Sequence, residues 1–349
     1  MNSSYRTEDV TLLLKDITGQ VEPMSTQERE KQIQAGISYC EMLPREYVPS
    51  PNYLEAYQQA LCNETDRTAA AVRTCAERIY QDKGNGIVLV SLARAGVPIG
   101  ILLKWYLRRR YGIEVPHYGI SIIRGRGIDH NAMRVLLEQH APENLQFVDG
   151  WIGKGAILTE LQRELAGYSG VSAQLAVLSD PAGLTDLCGT HEDFLIPSSC
   201  LNCTVSGLIS RTFLRRDIIG VSDFHGAAYY GELAAQDRSY EFLDAIAARF
   251  ENAPKLPEIS LIQSGLEETE QIARHFGIED INLVKPGIGE ATRVLLRRLP
   301  WKMLVREDMQ QDPALAHLYQ LAREKGIAVE PYPLQNYKAC GIIQQLRDV

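Results

Sequence analysis

The chain has 349 residues, 45% of them hydrophobic and 23% charged, with a formal net charge of −8. That length exceeds one ordinary core and predicts two domains. The net charge argues against a chain coated for nucleic acid, though it leaves room for a local basic face. No run of 18 apolar residues occurs, which excludes a membrane-spanning helix, and residues 1–16 lack an apolar signal core. Seven scattered cysteines in a chain of this size need no disulfides, so reduced thiols and a cytoplasmic location are expected.

Residues 1–52 read as an N-terminal extension ending in an ordered, proline-rich loop. An amphipathic piece at 10–17 is expected to pack on the core or on a second subunit of a homo-oligomer. Prolines 44, 49 and 51 break helices and ladders. Glu41, Arg45, Glu46 and Tyr47 of that loop either cover a site or merely pack on the surface.

The first domain is expected over 53–250. Residues 53–81 are helical in pattern, with a break or second start at 66–68. GIVLVSL, residues 86–92, is a buried strand entering the turn Ala93, Arg94, Ala95, Gly96, and Pro98 suits the first turn of the next helix. Arg94 is then a cation at the carboxyl edge of a parallel sheet, or half of a surface ion pair. HYGISII, residues 117–123, leads into RGRGIDHN, whose Arg124 and Arg126 suit a mobile loop closing over a polyphosphate. Asn131 is expected to cap the helix that follows.

LQFVDGWIGKGAI, residues 145–157, combines a short apolar strand, Asp149 at its end, and a turn with Gly150, Gly153 and Gly155 before a helix. Unpaired N–H groups at such a turn suit a phosphate, and an ordinary strand-to-helix turn is the alternative. Residues 173–179 and 217–221 read as further strands, the latter as the last of the sheet. Cys200 and Cys203 form a CxxC pair lacking two further metal ligands at suitable spacing. Cys200, His225 and Asp223 supply the residue types of a cysteine peptidase.

Residues 251–258 are a proline-bearing linker, and 259–349 alternate strand and helix as a smaller α/β/α sandwich. Basic residues at 285, 293, 297, 298, 302 and 306 face a single acid, Glu290, in that stretch. They form either a solvated surface or an RNA contact.

The order of parts in the first domain resembles the type I phosphoribosyltransferase fold, whose members bind phosphoribosyl pyrophosphate. FVDGWIGKGAI lies over the family's acid and 5-phosphate loop, which implies roles for Asp149, Gly150, Gly153, Lys154, Gly155 and Ala156. The ARAG turn, with Ala93, Arg94, Ala95 and Gly96, lies where the family holds pyrophosphate, and RGRGID lies near its flexible lid. Gly150 replaces the usual second acid, and Gly153, Lys154 and Ile157 replace hydroxyl residues, so Lys154 and backbone amides would take over the phosphate contacts. The resemblance implies Mg²⁺ beside the departing pyrophosphate and transfer of a phosphoribosyl group to an unknown acceptor.

YCEMLPREYVP, SLARAGVPIG, HYGISIIRGRGID, FVDGWIGKGAI, IPSSCLNCTVSG and DFHGAAYY resemble more closely the StiP family of tellurite-resistance and stress operons. That family is linked to a nucleoside-like metabolite and is also labelled a cysteine protease. KPGIGEATRVLLRR resembles the L7Ae/Pelota RNA-binding family, which implies RNA contacts at Lys285, Gly287, Glu290, Arg293 and Arg297; Gly289 stands where that family usually has Asn. The expected protein is a phosphoribosyltransferase-like enzyme with an RNA-binding second domain. A cysteine peptidase and a non-catalytic RNA scaffold are the alternatives.

Overall fold

In the computed structural model, which describes residues 1–345, every residue of VLVSL at β2 (Val88–Leu92) is buried. Apolar runs of this kind form the middle of parallel sheets covered on both faces. β2 lies between β3 (His117–Ile120) and β4 (Leu145–Val148) in a six-stranded sheet. β1 (Thr11–Leu12) flanks β3, while β5 (Leu175–Ser179) and β6 (Cys188–Thr190) extend from β4. The order is therefore β1-β3-β2-β4-β5-β6, with every pairing parallel. From β2 the chain turns one way to β3 and then crosses to β4 on the other side. The carboxyl ends of β2 and β4 thus flank a topological switch point, where such sheets leave a crevice.

The extension at 1–52 packs on the core and also joins the sheets: β1 completes one edge of the large sheet, and Lys15–Asp16 pairs with Gly226–Ala227. Three other elements differ from expectation. The first helix of the main body, Pro51–Lys83, runs unbroken through 66–68. Residues 217–221 form turns rather than a strand, with Val221 fully exposed, and Cys188–Thr190 supplies the sixth strand. Asp129, not Asn131, caps His130–Gln139, accepting the N–H groups of Asn131 and Ala132 at 3.0 Å.

The second domain has β7 (Val284–Pro286), β8 (Pro300–Arg306), β9 (Val329–Tyr332) and β10 (Ala339–Ile343) in the order β7-β10-β8-β9. Only β8 and β9 are parallel within it. Helices Gly265–His275, Ile288–Arg297 and Ala316–Glu324 cover the sheet. Residues 251–263 carry neither helix nor strand. The two domains share a core, because Ile288, Ala291 and Leu295 belong to the same buried apolar cluster as Val148, Phe194 and Leu195. Burying those side chains stabilises a fixed arrangement, at about 1.5–3 kcal/mol for each fully buried large apolar residue.

Candidate functional site

β4 delivers Asp149 to the switch point. Its carboxylate accepts the Gly150 N–H at 2.7 Å. Burial pushes its pKa up to about 6, with the Gly150 N–H and Arg293 opposing the rise and Glu290 adding to it. The helix Gly96–Tyr111 starts against the same spot because Gly96 has no side chain. A Cβ there would fall 2.4 Å from the Val148 carbonyl oxygen. The peptide between Ala93 and Arg94 is cis.

Beyond Asp149 the chain stays paired to β5 for a short distance, the Ile152 N–H reaching the Ser179 carbonyl at 3.0 Å. Gly155 then adopts φ +88°, in the left-handed region that favours glycine, and opens the helix Ala156–Leu165. No side chain caps that helix. Its first-turn N–H groups are thus free to meet a ligand in the adjoining cavity of ≈ 510 Å³, whose wall includes Gly153, Lys154, Gly155 and Ala156.

The other wall of that cavity comes from the second domain: Asp280, Asn282, Lys285, Glu290, Arg293 and Arg298. A smaller lobe of ≈ 250 Å³ shares Ala95, Asp149, Arg211, Lys285 and Arg293 with it and extends to Ala93, Arg94 and Arg297. Lys285, Gly287, Glu290, Arg293 and Arg297, expected on an RNA-facing surface, therefore face the first domain. Arg293 lies over the Trp151 ring, 4.1 Å from its centroid, and pairs with Glu290 at 3.4 Å. Arg297 donates to the Leu201 carbonyl. Gly287 leads into Ile288–Arg297, whose Ile288 N–H is accepted by the Asp193 carboxylate of the first domain at 3.0 Å. Asp193 also accepts the Lys338 N–H at 2.8 Å.

Cations crowd this space. Burial, and then the charges of Lys285 and Arg124, push Lys154 down to about 7. Lys285 is pushed down to about 8 by burial, with Arg298, Arg124 and Arg211 adding to the fall against Glu290. Burial together with Arg29, Arg298 and Arg94 takes Arg211 down to about 9, Tyr39 opposing. Arg297 is also held well below the usual arginine range by burial and by Arg94 and Arg293. Burial would raise Glu290, yet Arg293, Lys285 and Lys154 outweigh it and hold the carboxyl below its usual value.

Residues 3–247 match the family described as "Tellurite-like stress resistance cysteine protease StiP", and residues 263–345 match the "PELOTA RNA binding domain". The chain belongs to the StiP family. A relative named "Cysteine protease StiP", from Acinetobacter baylyi, is 36% identical over 366 residues, covering 99% of this chain and 94% of its own. Two solved structures of a hypoxanthine-guanine phosphoribosyltransferase from Bacillus anthracis are each 15% identical, covering 40% of this chain and 72% of theirs. Their TM-scores are 0.23 and 0.24, and strand order rather than this likeness defines the fold.

Three expected ligand contacts of this StiP-family chain are otherwise engaged. Arg94 is buried in an ion pair with Glu46 at 2.9 Å and donates to the Ile209 carbonyl at 2.7 Å. Burial opposes its charge, but Glu46 together with Cys203 and Tyr230 outweighs that and raises its pKa. Lys154 donates its ammonium protons to the carbonyls of Ile281 and Val284. Arg126 pairs with Glu41 and lines neither lobe, whereas Arg124 lines the larger one and bonds Asn282 at 2.7 Å. The RGRGID segment is a short hairpin, Ile122–Ile123 against Gly127–Ile128, fastened to both domains.

The expected peptidase trio is not assembled. Burial pushes the Cys200 thiol up to about 12, and it packs in the apolar core. His225 is bonded to the Ser121 hydroxyl at 2.9 Å, and Asp223 pairs with Lys15 at 2.7 Å. Cys203 is equally buried, and no cluster of three metal-ligating side chains exists among the described residues. No helix among them is long and apolar enough to cross a membrane.

Sequence reading missed Arg211, Trp151, Tyr39, Glu30 and Arg298 as lining residues. Trp151 lies inside the LQFVDGWIGKGAI stretch and Tyr39 opens YCEMLPREYVP, so both had a local signal. Nothing local marks Arg211 or Glu30, and Arg298 lay inside the basic run read as solvated surface or RNA contact. Glu46 carried a signal, its proline-rich loop.

The carboxylates in the larger lobe do not fit a resident Mg²⁺. Glu30 is paired with Arg298 at 2.7 Å, Glu290 with Arg293, and Asp280 accepts the Asn282 N–H at 2.9 Å. Asp149 is left, with Gly150 where a second acid would stand.

Proposed function

We propose that the cleft between the domains binds a sugar polyphosphate of the phosphoribosyl pyrophosphate type and transfers its phosphoribosyl group to a small acceptor. The observation that carries this reading is the cation-lined, two-lobed cavity at the switch point, with Asp149 common to both lobes. The uncapped start of Ala156–Leu165 is suited to the 5-phosphate. The smaller lobe, beside Ala93 and Ala95, is suited to pyrophosphate. Asp149 then lies near C1 of the sugar.

The acceptor's lone pair forms the new bond to C1 while the C1–O bond to pyrophosphate breaks. The bonding electrons leave with pyrophosphate. Asp149, pushed up to about 6 and so ionised at neutral pH, takes the acceptor's proton and offsets the positive charge developing at C1. Calorimetric titration with phosphoribosyl pyrophosphate tests the binding. Asp149→Asn is expected to bind it within a fewfold of wild type while pyrophosphate release falls about 100-fold or more. Absence of binding heat with the wild type would overturn the reading.

The relative's name supplies a second reading, peptide hydrolysis, and one contact favours it. Cys188 Sγ lies 3.7 Å from His191 Nε2, and His191 Nδ1 bonds the Asp180 carbonyl at 2.8 Å. Against it, burial pushes the Cys188 thiol up to about 11. Hydrolysis of a peptide substrate that is lost in Cys188→Ser and kept in Cys200→Ser would support this reading; a wild type without hydrolysis would remove it.

A further inference from the structure

Pyrophosphate leaving a sugar carries several negative charges, and phosphoryl and pyrophosphoryl sites usually offset them with a divalent cation. In this cleft two of the carboxylates, Glu30 and Glu290, are engaged by arginines at 2.7 Å and 3.4 Å, and Asp149 has Gly150 where a second acid would stand. The second domain meanwhile sends Lys285, Arg293, Arg297 and Arg298 into the smaller lobe, which also holds Arg211 and, among the described residues, has only Asp149 and Glu290 as acids. Among the described residues, the Nε of Arg293 and the Nε of Arg297 are buried without an acceptor. Buried N–H donors left unpaired are costly, and they mark an arginine cluster that lacks enough acceptors of its own.

We infer that the second domain takes the place of the divalent metal. Lys285 and Arg293, with Arg297 beside them, neutralise a metal-free polyphosphate in the smaller lobe. This rests on the reading of the cleft as a polyphosphate site and goes beyond it by naming what balances the charge. The arrangement also gives the Pelota-type segment a use inside the cleft: its basic residues are the counter-charge. A divalent ion entering the same lobe would be repelled by these cations and would remove charge from the ligand that they need.

The test is titration of the full chain with inorganic pyrophosphate, once in EDTA and once in excess MgCl₂. Binding is expected in EDTA, with affinity unchanged or weaker in MgCl₂. Lys285→Met and Arg293→Met are each expected to weaken metal-free binding about tenfold or more, while Lys285→Arg keeps it within a fewfold. Binding that appears only with MgCl₂ overturns this inference and leaves the polyphosphate reading standing. Binding in EDTA that neither methionine variant weakens overturns it as well. No binding of pyrophosphate or phosphoribosyl pyrophosphate in either buffer removes both. The comparison of buffers uses the unaltered protein, so it decides the matter even if a variant fails to fold.

Discussion

Arg293 of the second domain holds its guanidinium 4.1 Å from the centre of the Trp151 ring in the first. The contact joins the helix Ile288–Arg297 to the loop between Asp149 and the start of Ala156–Leu165. A cation over an indole contributes about 1–2 kcal/mol when shielded from water. Trp151→Ala is therefore expected to lower thermal stability and to weaken pyrophosphate binding several-fold, by freeing the guanidinium it orients. Calorimetry on the variant checks this, and an unchanged affinity would show that the ring does not position Arg293.

The Arg94 and Glu46 pair gives a sharper expectation. Removing one partner of a buried ion pair costs about 3–5 kcal/mol, because the other charge is left uncompensated. Glu46→Gln should thus lose stability in chemical denaturation. The same change leaves Arg94 as a free cation lining the smaller lobe, so pyrophosphate affinity should rise. Stability and affinity moving in opposite directions is the signature.

Asp149 links stability to pH in a defined direction. Its folded pKa of about 6 lies above the ordinary aspartate value of about 3.9. The folded state therefore holds the extra proton between those values, and stability is lost as pH rises from about 4 to about 6 and stays reduced above that. Asp149→Asn is expected to be more stable than wild type at pH 7.5, with the difference about halved at pH 5 and closed near pH 4. Melting curves across that range check it. A difference that grew as pH fell would contradict the raised pKa.

Lys154 and Lys285 titrate the other way for ligand binding. They are pushed down to about 7 and about 8, so in the free protein they lose charge as pH rises through that window. Pyrophosphate affinity of the wild type, taken relative to Lys285→Arg, should fall between pH 7 and pH 9. The ratio cancels the ligand's own titration.

Thiol labelling separates the cysteines. Cys62 is exposed and the other six are buried. Iodoacetamide should modify Cys62 first and Cys200 slowly, since the thiolate is the reactive form and burial disfavours it. Rapid labelling of Cys200 would restore the peptidase trio to consideration.

What the sequence made legible was local. The apolar strand, Asp149 and the glycine turn lie within a dozen residues, and the parallel βα pattern alone places such turns on one edge. Signals depending on a distant partner misled. Asp66 and Arg67 read as a break, yet they only mark the outward face of a long helix. The apolar run at 217–221 contributes Ile219 to a small core and exposes Val221, which periodicity cannot separate from a strand. The basic run around Arg293 was visible as charge, but its burial depends on the first domain covering it. Arg211 reaches the cleft from a segment of turns with no pattern at all.

Asp193 holds the amide groups of Ile288 and Lys338, and Tyr337 donates its hydroxyl to the Gly153 carbonyl at 2.6 Å. Together with the shared apolar core, these contacts make the peptide linker at 251–263 a tether rather than the fastening. Cleavage there should yield two fragments that remain together through purification, and the pair should still take up pyrophosphate. The two halves are then held by their interface, with the covalent join secondary to it. A substitution on the buried face of either half is then felt by the other, so neither domain's stability can be read from its own contacts alone.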